Sequence, residues 1–205
     1  MKYIDISHLL DNNTPVYPGD VNSTVTKYRF FETDSYNAYL LKTGLHSGTH
    51  IDMPMHLIDD DKTVKDYSVD NFIGNGVLLD VRGEAIISMK AEYEKVVQEQ
   101  DIVLLYTGYD KYYGDASYFT EHPIISDCLA DFFIEKRIKM LGFDMPSPDK
   151  PPFKLHKALL KNGIFLLENL TNLNGLVGYK HFEVIAMPIK IAAEASLVRA
   201  VCKVK

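Results

Sequence analysis

The chain has 205 residues, 46% hydrophobic, 24% charged and 11% aromatic, with a formal net charge of -6. That length suits one domain, 1–205, with a full hydrophobic core, and the acidic balance excludes a nucleic-acid surface or a polybasic membrane patch. Cys128 and Cys202 are too few and too distant for a disulfide framework or a thiolate metal site, and no run approaches the roughly 18 apolar residues of a membrane span. With Asp5 placed where a signal peptide would run apolar, a soluble, cytoplasmic protein is expected.

Residues 3–7 alternate apolar with polar side chains and predict a first strand. Turn chemistry follows at Asp11-Asn12-Asn13-Thr14-Pro15, then Val16-Tyr17-Pro18-Gly19-Asp20. Two prolines around an aromatic make a stiff loop that presents Tyr17 in one direction, either as a buried anchor or as a substrate contact. Strands are predicted over 23–30 and 38–45.

The second of these strands delivers Leu45-His46-Ser47-Gly48-Thr49-His50-Ile51-Asp52-Met53-Pro54-Met55-His56, which carries the pattern H-x3-H-x-D-x3-H. Gly48 and Pro54 exclude a regular helix, so the stretch reads as a loop on which imidazoles and a carboxylate converge. Neutral imidazole and carboxylate are the donors a borderline divalent ion such as zinc prefers. This stretch is the expected core of a metal site.

Asp59-Asp60-Asp61-Lys62 has the wrong spacing for an EF-hand loop and reads as a solvated turn. Residues 76–81 predict a strand, and 88–100 a helix capped by Ser88, with Met89, Tyr93, Val96 and Val97 on one face. The run 102–106 suits a buried strand. The tyrosine-rich segment 108–118 is a pocket rim or a surface loop. Ser126 caps a second helix with Leu129, Phe132 and Phe133 on its apolar face; Cys128 beside that face reads as packing rather than as a nucleophile. Residues 139–143 read as a strand.

A third helix is predicted over 153–162, ended by Gly163, with His156 turned inward beside Leu159 and Leu160. Taken alone, such a histidine is a hydrogen-bonded core residue. The apolar strand 164–167 ends at Glu168, a buried carboxylate that needs a partner, for which a metal would suffice. Two more strands are predicted over 182–191 and 197–204. Strands outnumber helices and helices interrupt them, so the expected class is α/β: a single domain with a mixed β-sheet and flanking helices.

The H-S-G-T-H-I-D-M-P-M-H stretch resembles the signature of the cyclase family of metal-dependent hydrolases, which includes kynurenine formamidases and isatin hydrolases. The resemblance runs along most of the chain: Thr14 to Asp20 resembles the family's substrate loop, and Asp144, Ser147 and Asp149 its D-x2-S-x-D segment. His156 and Glu168 fall at the family spacing, and Pro188 with Ser196-Leu197-Val198-Arg199 resembles its C-terminal strands.

The resemblance implies two divalent ions, zinc or manganese. His46, His50 and Asp52 would bind one and Asp52, His156 and Glu168 the other, with Glu168 also reaching the first. His56 would be the general acid/base. It further implies a swivelling β/β/α fold, a homodimer and an aromatic amide substrate such as N-formylkynurenine. Cyclic amides such as isatin, lactones, or a non-catalytic metal-binding role are the alternatives. A serine hydrolase is disfavoured, because no G-x-S-x-G elbow is present. The kynurenine formamidases carry a tryptophan in the substrate loop, where this chain has Tyr17.

Overall fold

The computed structural model describes residues 1–205. Twelve strands and four short α-helices follow in chain order. The first half holds β1 (Lys2–Asp5), β2 (Thr24–Arg29), α1 (Phe31–Asp34), β3 (Ala38–Lys42), β4 (His50–Asp52), β5 (Ile73–Asp80), β6 (Ile86–Ile87) and α2 (Tyr93–Val96). The second half holds β7 (Ile102–Tyr106), β8 (Ile124–Ile125), α3 (Asp127–Lys136), β9 (Met140–Phe143), α4 (Lys154–Lys161), β10 (Phe165–Glu168), β11 (Phe182–Pro188) and β12 (Ala195–Val204).

The main sheet runs β1-β12-β11-β5-β7-β9-β10-β4, and β4 pairs back onto β12, closing a mixed seven-stranded barrel with β1 outside the ring. Strands β5, β7, β9 and β10 are parallel to their neighbours in that run, and the remaining contacts of the ring are antiparallel. Closure removes the exposed edges that an open sheet would leave.

Two cores flank the barrel wall, and strand alternation assigns residues to each. Ile102 and Leu104 of β7, Met140 of β9, Phe165 and Leu167 of β10 and Ala200 of β12 share the inner core. Val103 and Leu105, Leu141 and Leu166 point the other way, onto α3 and α4. This two-sided burial is why β7 is apolar throughout, with all five residues buried. Gly142 of β9 is needed at that wall, since a Cβ there would approach Leu104 Cδ2 to 2.6 Å.

Three expectations change. The flanking helices reduce to α3, α4 and the single turn of α2, all on one side of the wall. The helix over 88–100 is only the four-residue α2: Val96 is half exposed, and Asp101 Oδ2 accepts from Gln98 N–H at 2.8 Å, turning the chain out of the helix. Cys128 is exposed and does not pack into the core. Ser126 does cap α3, its Oγ accepting from Leu129 N–H. No helix is long and apolar enough to cross a membrane.

Candidate metal centre

The loop 46–49 enters β4, whose three residues are all buried. Alternation sends Ile51 to the inner core and turns His50 and Asp52 to the opposite side, where α4 lies. Register then completes the group: Glu168, the last residue of β10, is the cross-strand partner of His50. His156 comes from the first turns of α4, on the same buried face as Leu155, Leu159 and Leu160. His56 closes the short 3-10 turn Pro54–His56 that leaves β4.

Asp52 sits at the centre. His46 Nδ1 is 2.9 Å and His50 Nε2 3.4 Å from its Oδ1, while His156 Nε2 is 3.2 Å and His56 Nε2 3.9 Å from its Oδ2. Glu168 joins from the far side, with Oε2 3.4 Å from His50 Nε2 and Oε1 3.9 Å from His156 Nε2. All five expected donors, and His56, therefore meet in one cluster. Two donor triads are compact enough to hold an ion, His50/Asp52/Glu168 and His46/Asp52/His56, each with its donor atoms within 4.8 Å of one another.

The donor chemistry fits a cation. His50 Nδ1 lies 2.8 Å from the Gly48 carbonyl oxygen, which can only accept, so Nδ1 carries the proton. In the neutral ring Nε2 then turns a lone pair toward oxygens of two carboxylates. His50 Nε2, Asp52 Oδ1 and Glu168 Oε1 are all buried without a hydrogen-bond partner. Unpaired acceptors facing one another in a buried site are costly unless a positive charge lies among them. One or more divalent ions would supply it.

The electrostatics of the cluster's own side chains point the same way. Burial, then the Asp52 charge, pushes the Glu168 carboxyl up, whereas the imidazoles around Asp52 hold it well below the usual carboxylate range despite its burial. Burial alone would depress His46, but Asp52, Glu168 and Glu194 lift it to about 9. Burial depresses His56 to about 4, helped by the neighbouring imidazoles, so it is neutral at pH 7.

Further residues contribute from behind the donors, and of these Glu194 carries no signal in the sequence. Glu194 Oε1 lies 3.3 Å from His46 Nε2, placed there by the turn into β12. Asp149, part of the D-x2-S-x-D segment, accepts from Leu155 N–H at 2.7 Å at the start of α4, and Ser147 Oγ lies 3.5 Å from His156 Nδ1. These contacts orient the imidazole from behind.

A cavity of about 250 Å3 opens onto the cluster, walled by Tyr17, Leu57, Phe119, Pro146 and Phe153. Tyr17 is 41% exposed, so it is no buried anchor, and its ring meets Phe119 edge to face at 5.7 Å. The tyrosines of 108–118 do not form the rim. Tyr118 is fully buried, and the neighbouring Phe119 reaches the cavity instead.

Comparison with known proteins agrees with this geometry. Residues 4–150 match the Cyclase family model, described as "Putative cyclase". A kynurenine formamidase of Bacillus cereus is 34% identical over 208 residues, covering 98% of this chain and 97% of that protein, and one of Bacillus anthracis is 34% identical over 209 residues, with 98% and 97% covered. Among solved structures, isatin hydrolase A from Labrenzia aggregata, bound to benzyl benzoate, superposes with a TM-score of 0.88 at 22% identity, covering 99% of this chain and 93% of that one. Isatin hydrolase A from Ralstonia solanacearum gives 0.87 at 18% identity, with 100% and 92% covered, so these share the fold. On the family match and the full-length relatives together, the chain belongs to the Cyclase family.

Proposed function

We propose that residues 1–205 form one binuclear metal-dependent amidohydrolase domain acting on an aromatic formamide of the N-formylkynurenine kind. The chain is a hydrolase of non-peptide carbon–nitrogen bonds. The observation that carries the metal reading is the set of orphaned atoms around Asp52, His50 Nε2, Asp52 Oδ1 and Glu168 Oε1, and the two compact donor triads that share Asp52 support a second ion. His46, His50 and Asp52 would hold one ion, and Asp52, His156 and Glu168 the other, with Glu168 also reaching the first. An all nitrogen and oxygen donor set suits zinc first and manganese second. Bound there, divalent ions would supply Lewis acidity to the amide carbonyl and make water more acidic.

His56 is the residue we assign to proton transfer. Its ring is tilted against His46 at 4.2 Å between centroids, it lines the cavity, and it is less buried than His50 or His156. As water adds to the formyl carbon, His56 takes its proton and returns one to the nitrogen as the carbon–nitrogen bond breaks, giving formate and the free arylamine. Phe119, Phe153 and Tyr17 frame a space that suits a flat ring.

The exposed apolar residues of the β2–β3 hairpin, among them Tyr28, Phe30, Tyr39 and Leu40, support pairing of two chains. Light scattering should then give a dimer; a monomer at working concentration overturns that part.

Substrate class is tested by kcat/KM for N-formylkynurenine, isatin and a non-aromatic formamide on wild type and Tyr17→Ala. A stacking contact worth about 0.5–1.5 kcal/mol predicts a loss of roughly 2–13-fold for the aromatic substrates alone. Preference for isatin would move the assignment to cyclic amides. A preferred non-aromatic formamide, or unchanged ratios in Tyr17→Ala, removes the aromatic assignment, and no turnover by metal-loaded protein removes catalysis.

A further inference from the structure

Asn169 follows Glu168 and occupies an unusual place. It is buried, its φ is +54°, and its side chain points back across the sheet toward the loop that precedes β4. A left-handed backbone is uncommon for a residue other than glycine, although asparagine tolerates it best. Such a conformation persists where surrounding contacts over-determine it.

Those contacts fix the amide's orientation. The Gly48 carbonyl can only accept, so the Asn169 atom 3.1 Å from it is Nδ2, donating. The other amide atom is then Oδ1, and Tyr118, fully buried, donates its hydroxyl to it at 2.9 Å. The Asn169 main chain is held as well: its carbonyl accepts from Thr49 Oγ1 at 2.6 Å, and its N–H donates to Met145 O at 3.1 Å. Thr49 Oγ1 in turn accepts from His8 N–H at 2.8 Å.

The Gly48 carbonyl is the junction. It accepts both from Asn169 Nδ2 and from His50 Nδ1, which uses both of its lone pairs. Gly48 itself is at φ +63°, a conformation natural to glycine, so nothing in its own backbone holds that carbonyl in place. The direction in which it points decides whether His50 keeps its proton on Nδ1 and offers a bare Nε2 to the cluster.

We propose that Asn169, oriented by Tyr118, is a positioning residue that fixes the His50 tautomer through the Gly48 carbonyl. The same side chain ties the segment bearing His46 and His50 to the strand end bearing Glu168, so donors from two remote parts of the chain keep one geometry. This rests on the reading that the cluster binds metal. It also reaches the cavity, because Tyr118 packs edge to face on Phe119 at 5.1 Å.

The test uses Asn169→Asp, which cannot donate to Gly48, and Tyr118→Phe, which deletes one hydroxyl. Imidazole nitrogen NMR of the metal-free protein reads the tautomer, and chelator competition reads the zinc Kd of the folded protein. Wild type should show His50 protonated at Nδ1. Asn169→Asp should show mixed tautomers and a Kd weakened about 10–100-fold, the usual effect of losing a partner behind a ligand. Tyr118→Phe should move both in the same direction by less, and the two changes should be non-additive because they act through one amide. Asp101→Asn, which disturbs a buried carboxylate bonded to Asn75 and Gln98 at the opposite end of the barrel wall, should lower the melting temperature and leave tautomer and Kd alone.

If both variants fold with wild-type tautomer and Kd, the proposal is overturned. Should Asn169→Asp not fold, Tyr118→Phe decides by the same two readouts. Failure of wild type to bind zinc, with the tautomer still controlled by Asn169, would overturn the metal reading and the inference toward it while leaving the hydrogen-bond relay standing.

Discussion

Asp52 and Asp144 are both buried carboxylates at the ends of barrel strands, and their surroundings are opposite in kind. Asp144 is enclosed by donors: Thr107 N–H at 2.8 Å, Thr107 Oγ1 at 2.6 Å and Gly108 N–H at 2.8 Å. Asp52 is enclosed by imidazoles and a second carboxylate, and its Oδ1 makes no hydrogen bond. The protein supplies a complete shell to the first acid and an incomplete one to the second. A satisfied buried charge holds a fold together, while an unsatisfied one among other acceptors is a place for a cation.

The largest effect separates the two acids directly. Asp52→Ala should lose its metal and its hydrolytic activity to background while keeping the fold, whereas Asp144→Asn should keep full metal content. Elemental analysis beside circular dichroism reads both. Equal metal content in the two variants would erase the distinction.

Within the Asp52 shell, His56 sharpens the comparison. It lies in a compact triad with His46 and Asp52, yet is assigned to proton transfer rather than to metal binding. His56→Ala should retain its ions and lose roughly 10²–10⁴-fold in kcat. Loss of an ion in that variant would make His56 a ligand instead.

On the Asp144 side the effect is on stability and depends on pH. Burial lifts the Asp144 carboxyl to about 6 in spite of its three donors. The folded value lies above that of the unfolded chain, so the stabilising contribution of the protonated acid is complete below about pH 4 and is lost as pH rises through about 6. Asp144→Asn should therefore be less stable than wild type by about 1–3 kcal/mol at low pH, shrinking as pH rises through that window. Denaturant unfolding at a series of pH values checks this, and a difference that stays flat would show that Asp144 does not titrate there.

The two acids were not equally legible in the sequence. Asp52 sits in a dense local pattern with His46, His50 and His56, and short-range spacing is what a sequence displays best. His156 and Glu168 were reachable because an inward histidine and a carboxylate ending an apolar strand each ask for a partner. Asn169, Tyr118 and Glu194 were not: their contacts arise from barrel closure and from a left-handed backbone, which no periodicity announces. The strands of the wall were legible because burial on both sides leaves continuous apolar runs, as in β7. The overlong helix at 88–100 failed because its apolar spacing was matched by only two buried residues, Tyr93 and Val97, and the chain turns at Asp101.

The number of ions that the cluster holds is the most direct measure of the site. Elemental analysis of purified, metal-loaded wild type and of His156→Ala measures this without reference to any substrate. Two ions per chain in wild type, falling to about one in His156→Ala, is the predicted result, since His156 would serve only the ion that Asp52 and Glu168 share with it. One ion or none in wild type, or two retained in His156→Ala, would contradict it.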